Sequence, residues 1–402
     1  MPLPVLAMML CTFCVGTAES VIAGILPDIA GRVGVSLSAV GMLISVYALV
    51  VVVAGPCLTA LTARTRRAVL LPGMMGVFIL GNVIAALAPG FAWLVTGRIV
   101  SALAHSTLIA VFVAAARDMA PPHQRAAWGA RITLGIGLAT VVGVPVGTLV
   151  GHAWGWRATF WALAALSTVS ALLLLRHNVP EPAPAPAEPA GARTTAHGHR
   201  RGFAVPVPMV LVALVIVLGT GGVFALYTYA SPYLTDAAGF EPSTVTALLW
   251  LYGLGGIAGN AIGARAADRY PSAAVPGTLG TVAAALLLLV LLADATWAVV
   301  VLFCVLGAAY FATIPALNSQ IVASAGPTSA AMALSVNNSA FCVGIALGSW
   351  LGGAFLARGY DVLTVPAGAA GLAAGGLLLS VVAARTLRRR RTADEPRAAV
   401  AA

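Results

Sequence analysis

The chain contains no lysine, and only 8% of its 402 residues are charged. A soluble domain carries about 25% charged residues, so this composition excludes an ordinary water-facing surface. Acidic groups are scarcer than basic ones, 12 against 22, and every basic residue is arginine. The H-E-x-x-H, G-x-S-x-G and Walker-type phosphate-loop patterns are also missing, which leaves hydrolysis and nucleotide-driven pumping without residues. Filters of the TVGYG kind, which select ions in channels, are absent as well. No nucleophile–base set stands out, so the chain reads as something other than an enzyme, with no cofactor, metal or nucleic acid called for. The five cysteines, Cys11, Cys14, Cys57, Cys304 and Cys342, all fall in apolar runs. Cys11-x-x-Cys14 has redox spacing but no βαβ pattern around it, and all five read as small buried hydrophobes.

What fills the chain is apolar sequence, 60% of all residues. A membrane-spanning helix needs about 20 such residues. Twelve runs meet that length, near 5–26, 39–61, 68–88, 92–115, 128–150, 156–176, 206–229, 243–264, 273–292, 296–318, 332–355 and 364–385. The expected fold is therefore an all-α polytopic membrane protein whose partner is the lipid bilayer. The first run lacks a basic leader and a cleavage site, so it reads as an uncleaved anchor. Between runs six and seven, residues 177–205 are rich in Pro, Ala and Arg and read as a flexible, partly extended linker. Residues 386–402 form an Arg-rich tail.

Arginine placement orients the chain. With the N-terminus inside, 18 arginines fall in cytoplasmic segments or helix ends, while Arg32, Arg157 and Arg358 alone fall outside. That asymmetry follows the positive-inside rule and places both termini in the cytoplasm. The two halves also resemble each other. "SAVGMLISVYAL" from Ser38 aligns without gaps on "STVTALLWLYGL" from Ser243, and Gly143, Gly147 and Gly151 are matched by Gly344, Gly348 and Gly352. Two pseudo-symmetric six-helix bundles follow, 1–176 and 206–385, an arrangement typical of transporters that bind solute at the midplane.

Charge inside the membrane is costly and usually functional. Among the acidic residues only Glu19 lies within a span, and among the arginines only Arg98 does so clearly. Counting from the outer ends, both sit about 10 Å deep, where each would seek the other. His105 lies two helical turns beyond Arg98 on the same face. Two readings fit Glu19, Arg98 and His105: a proton site whose affinity changes as Glu19 and Arg98 separate, or a fixed ion pair with a packed histidine. Tyr47, Asn82, Tyr227, Tyr252, Tyr310, Asn318, Asn337 and Asn338 are the other polar or aromatic positions in spans. They serve either to surround a cavity for an amphiphilic solute or to bond helices together.

"GTAESVIAGILPDIA", "YTYASPYLTDAAGF" and "GVPVGTLVG" followed by "GWRATFW" resemble signatures of the twelve-span drug/proton antiporters of the major facilitator superfamily. The likeness is to their chloramphenicol-resistance and sugar-efflux branch, and covers essentially the whole chain outside linker and tail. It implies the major facilitator fold, a monomer in the bacterial cytoplasmic membrane, and exchange of protons for a small amphiphilic compound such as a phenicol antibiotic. Arg98 matches the family's coupling arginine, and Gly143, Pro145 and Gly147 match the antiporter motif. Gly55, Arg64, Arg66 and Arg67 match the gate motif of the loop between spans two and three, and Gly263, Asp268 and Arg269 match its second-half copy. The first copy departs from the pattern, with Thr59 near the place of its acidic residue. A sugar exporter or importer on the same fold, and a non-transporting membrane sensor or scaffold, are the rival expectations.

Overall fold

The computed structural model describes residues 2–62, 64–176, 179, 181, 206–325 and 330–401. The described residues are mostly helical, with short turns and loops between helices and no strand among them. In lipid every backbone N–H and C=O must be satisfied within the chain, and helices do so segment by segment. The first half holds α1 (Leu3–Ser20), α2 (Ile22–Val33), α3 (Leu37–Thr62), α4 (Arg67–Leu87), α5 (Phe91–Met119), α6 (Arg125–Leu138), α7 (Val144–Trp154) and α8 (Trp156–Arg176). The second half holds α9 (Val207–Thr228), α10 (Ala230–Pro232), α11 (Pro242–Arg269), α12 (Ala274–Leu291), α13 (Thr296–Ser324), α14 (Ala330–Ala357) and α15 (Thr364–Ala401). Twelve helical stretches are long and apolar enough to cross a membrane, matching the twelve runs read from the sequence. Most of the linker, with Arg193, Arg200 and Arg201, lies outside the described residues, as do the side chains beyond Thr386.

Four spans differ from their sequence outlines. The first continues past residue 26 as α2 to Val33, so Asp28 and Arg32 sit on helix rather than in a loop. From residue 3 to 33 it rises about 46 Å, more than the roughly 30 Å hydrocarbon core, and its polar last turns project beyond the apolar stretch. The twelfth likewise runs on to Ala401, although only Thr364–Thr386 is apolar. The fifth is interrupted between α6 and α7 by a π turn, Ala139–Gly143. The seventh breaks at Tyr229, passes through α10 and ends in a second π turn, Tyr233–Ala237.

The repeat is visible in the turns. Gly34 (φ 72°) and Gly239 (φ 70°) close the first and seventh spans, 205 positions apart. Gly155 (φ 87°) and Gly359 (φ 78°) close the fifth and eleventh, 204 apart. Positive φ excludes most L side chains, so glycine is needed at each.

Within each half the helices approach through small residues. Gly55 of α3 faces Ser106 of α5, and Gly263 of α11 faces the backbone of Ala312 in α13. A Cβ at Gly259 would overlap the Ala308 carbonyl, and one at Gly307 the Tyr252 carbonyl. Such close approach provides the van der Waals packing that drives helix association in lipid. Between the halves, α3 packs along α14 and α7 against α11. The Ser45 hydroxyl donates to the Ala346 carbonyl at 3.1 Å, and Gly253 meets Val141. These contacts favour the end of the molecule where α2 gives way to α3, the end the arginine pattern puts outside.

Packing of this kind tolerates no added methyl. Gly259→Ala should cost about 1–3 kcal/mol through overpacking, read as a lower melting temperature of the purified protein in detergent. Gly73→Ala, where nothing lies within 4 Å of the new Cβ, should leave it unchanged or slightly raised.

Candidate functional site

Glu19 lies one residue pair before the turn at Val21 that separates α1 from α2. Ala18, Val21 and Ile22 around it are fully buried, whereas Glu19 keeps partial exposure. The carboxylate is within electrostatic reach of Arg98 and Tyr47 in its own half and of Tyr310 and Cys342 in the other. It therefore faces the space between the halves. No hydrogen bond or ion pair from a described residue reaches it; the described ion pairs all lie elsewhere.

Arg98 of α5 is 1% exposed, so its charge needs partners. They are not carboxylates. Nη1 donates to the Ala18 carbonyl at 2.6 Å and Nη2 to the Glu19 carbonyl at 3.3 Å. The guanidinium also lies over the Tyr47 ring, 4.1 Å from its centroid, while Nε has no hydrogen-bond partner among the described residues. Arg98 does reach the first span at Glu19, but their meeting is through the backbone of that span rather than side chain to side chain. A helical carbonyl has a second lone pair, so Ala18 and Glu19 can accept these bonds without leaving the helix.

Tyr47 of α3 joins the remaining member. Its hydroxyl and His105 Nδ1 are 3.0 Å apart, with the two rings edge to face at 5.5 Å. Tyr47 is wholly buried and His105 nearly so. Glu19, Arg98, Tyr47 and His105 thus form one polar track, with Tyr47 bridging cation and imidazole rather than facing open space.

The second half presents aromatic rings to the same region. Tyr227 and Tyr252 are tilted together at 4.9 Å, Phe224 meets Tyr227 at 5.6 Å and Tyr310 at 6.1 Å, and Phe311 meets Tyr310 at 5.3 Å and Tyr252 at 6.3 Å. Sequence reading found the three tyrosines but missed Phe224 and Phe311. The signal was there in Phe224-x-x-Tyr227 on one helix face and in the adjacent pair Tyr310-Phe311. The asparagines divide differently. Asn82 is buried in α4, bonded to the Phe78 carbonyl one turn away. Asn337 donates to Asn318 Oδ1 at 2.9 Å and ties α14 to α13. Asn338 is exposed.

The arginines that match the gate motif find acids from farther along the chain. Arg67 pairs with Asp118 at the end of α5, 2.7 Å, and Arg66 lies 3.9 Å from Glu181. Glu181 also accepts the backbone N–H groups of Arg67 and Ala68 at 3.0 and 3.2 Å, capping the first turn of α4. Arg64 is exposed. In the second half Asp268 and Arg269 are both exposed and form no ion pair with each other; Arg269 lies over the Tyr270 ring at 5.6 Å. The antiporter-motif residues back the site directly. A Cβ at Gly143 would overlap Thr17 Oγ1, and one at Gly147 would lie 2.6 Å from Val21. Gly143 closes the π turn and Pro145 opens α7, so the fifth span fits against the stretch that carries Glu19.

The family model for the Major Facilitator Superfamily matches residues 8–349. The chain belongs to that superfamily. Within it, the chain is 37% identical over 384 residues to the inner membrane transport protein YdhP of Escherichia coli K12, covering 95% of this chain and 96% of that one. It is 32% identical over 355 residues to a chloramphenicol resistance protein of Streptomyces lividans, covering 87% and 88%. Among solved structures it is similar to a bacterial homologue of the human lysosomal transporter Spinster in an inward-facing, unoccupied conformation. That likeness has a TM-score of 0.78 at 18% identity and covers 96% and 97% of the chains. The superfamily's members carry small molecules across membranes, and the twelve apolar helices put this member in one as a multi-pass protein.

Two outcomes follow from these contacts. Tyr47→Phe strands His105 Nδ1 in a buried site, costing about 1–3 kcal/mol, and Tyr47→Leu removes in addition a desolvated cation–π contact of about 2 kcal/mol. Thermal unfolding should rank wild type above Tyr47→Phe and Tyr47→Phe above Tyr47→Leu. Separately, the Arg67 and Ala68 N–H bonds hold the Glu181 carboxyl below its ordinary 4.5. A depressed carboxyl contributes above its unfolded value and is lost on acidification. Hydrogen exchange, corrected for intrinsic rate, should show both amides protected at neutral pH and unprotected once the pH falls through that lowered value.

Proposed function

We propose that this protein is a proton-coupled exporter, exchanging protons for a small amphiphilic compound by alternating access. One observation carries the reading. Arg98 is held by carbonyls of the first span, which leaves the Glu19 carboxylate without a hydrogen-bond or ion-pair partner among the described residues, near Tyr310 and Cys342 of the other half. A carboxylate so placed is free to take a proton, and its affinity for that proton depends on how near Arg98 stands. Rocking the halves changes what faces Glu19 from the second half, Tyr310 first among it. A proton returning through 100 mV releases about 2.3 kcal/mol, a useful bias on such a cycle.

The aromatic group of Phe224, Tyr227, Tyr252, Tyr310 and Phe311 supplies an apolar, polarisable wall for the solute, with tyrosine hydroxyls to orient it. The likeness to a chloramphenicol resistance protein supports a phenicol as the first compound to try. In this reading both termini are cytoplasmic, the contacts at the α2–α3 end close the outer side, and the protein works as a monomer. The six-helix units 1–176 and 206–385 are the moving bodies, joined by residues 177–205, with Arg67, Asp118 and Glu181 bracing the cytoplasmic side of the first. Tyr47 and His105 hold Arg98 in place from within the first unit.

The test uses inverted membrane vesicles with an imposed proton gradient and a fluorescent pH reporter. Chloramphenicol and a panel of amphiphiles are added to wild type, Glu19→Gln and Arg98→Ala. Wild type should release protons on addition, and Glu19→Gln should release none. Equal release from both would remove Glu19 from the coupling step, and no release from wild type for any compound would overturn antiport of this solute class.

A further inference from the structure

The closed end of the molecule is organised around a side chain that the polar track does not use. Tyr229 stands at the break of the seventh span, φ −106° and ψ 25°, and is fully buried. Its hydroxyl donates to the Ser349 carbonyl of α14 at 3.1 Å, and beside it Thr228 Oγ1 and Ser349 Oγ are 2.6 Å apart. The ring rests on α14 where side chains are absent. A Cβ at Gly352 would lie 2.7 Å from Tyr229 Cε2, and one at Gly353 2.6 Å from its hydroxyl oxygen. All these partners belong to the second half.

The other half supplies the remaining wall. A Cβ at Gly41 of α3 would overlap the hydroxyl and ring of Tyr229. Ser38, one turn before Gly41, has its carbonyl 3.5 Å from the Cβ position of Gly353. Ser45, one turn after, donates to the Ala346 carbonyl. Ser38, Gly41 and Ser45 share one face of α3, and that face is the seam between the halves.

We propose that Tyr229 is the plug of the gate at this end and that Gly41 is its seat. The inference rests on the alternating-access reading above and adds to it the residue pair that seals one side. When the halves part, Tyr229 travels with Gly352 and Gly353 on its own half, and only Gly41 leaves. A methyl at Gly41 is therefore penalised in the closed arrangement alone, whereas a methyl at Gly352 meets Tyr229 in both.

The experiment measures distances between spin labels at Arg32 and Asp294, exposed positions of opposite halves at this end. It uses full-length protein in nanodiscs with the five native cysteines replaced. Wild type should give a population at short separation. Gly41→Ala should shift the ratio of long to short separations by about tenfold or more, equivalent to about 1.4 kcal/mol. Adding Tyr229→Ala to Gly41→Ala should bring the short population back. Gly352→Ala should lower the melting temperature without moving the distances. Wild-type distances in Gly41→Ala, or no recovery in the double variant, would overturn the proposal. So would a Gly41→Ala protein that cannot be isolated folded, because its clash would then be present in every arrangement. The distances need neither solute nor proton gradient, so they stay readable if the vesicle experiment fails.

Discussion

A buried guanidinium in the first half, with no carboxylate in ion-pair contact among the described residues, is the constraint around which the rest is arranged. Leaving a charge unsolvated in a low-dielectric interior is costly unless hydrogen bonds and polarisable neighbours replace water. Arg98 finds them in the carbonyls of Ala18 and Glu19 and in the face of Tyr47. Each partner fixes something else. The carbonyl bonds pin the first span at the point where α1 passes into α2. Tyr47, held under the guanidinium, is turned so that its hydroxyl meets His105. The fifth span must then come close behind the first, which the bare surfaces of Gly143 and Gly147 permit.

The duplicated scaffold frames this site on both sides. Positive-φ glycines recur at 34 and 239 and at 155 and 359, so the two halves turn their chains at corresponding places. Close helix pairs recur too, α3 on α5 through Gly55 and α11 on α13 through Gly263. Each half is tightly packed by its own small residues, and the halves meet along an extended α3–α14 seam built on Ser38, Gly41, Ser45, Ala346 and Gly353. Under the alternating-access reading, that seam is where the halves part.

Much of this was legible in the residues. Twelve apolar runs, the lone intramembrane acid and base at equal depth, and the two-turn spacing of Arg98 and His105 all follow from periodicity and hydropathy. The actual partners of Arg98 did not, because backbone carbonyls are the same at every position and leave no mark in the sequence. Asn82 shows a related limit: its side-chain N–H bonds to the Phe78 carbonyl of its own helix, a contact that no spacing in the sequence marks. Asp118 and Glu181 reach the Arg66–Arg67 corner from positions 51 and 114 residues beyond Arg67, and Phe224 and Tyr227 of one helix meet Tyr310 and Phe311 of another and Tyr252 of a third. Such pairings depend on tertiary contact between distant segments.

The ionisable groups Glu19, Arg98 and His105 all belong to the first half, and the five clustered aromatic rings all belong to the second. The two similar halves thus carry different chemistry on a common frame. Under the proton-coupled reading, driving force and solute preference are encoded in separate stretches of the gene. Mutation could then redraw the set of compounds carried through changes after residue 206 while the power source stays as it was.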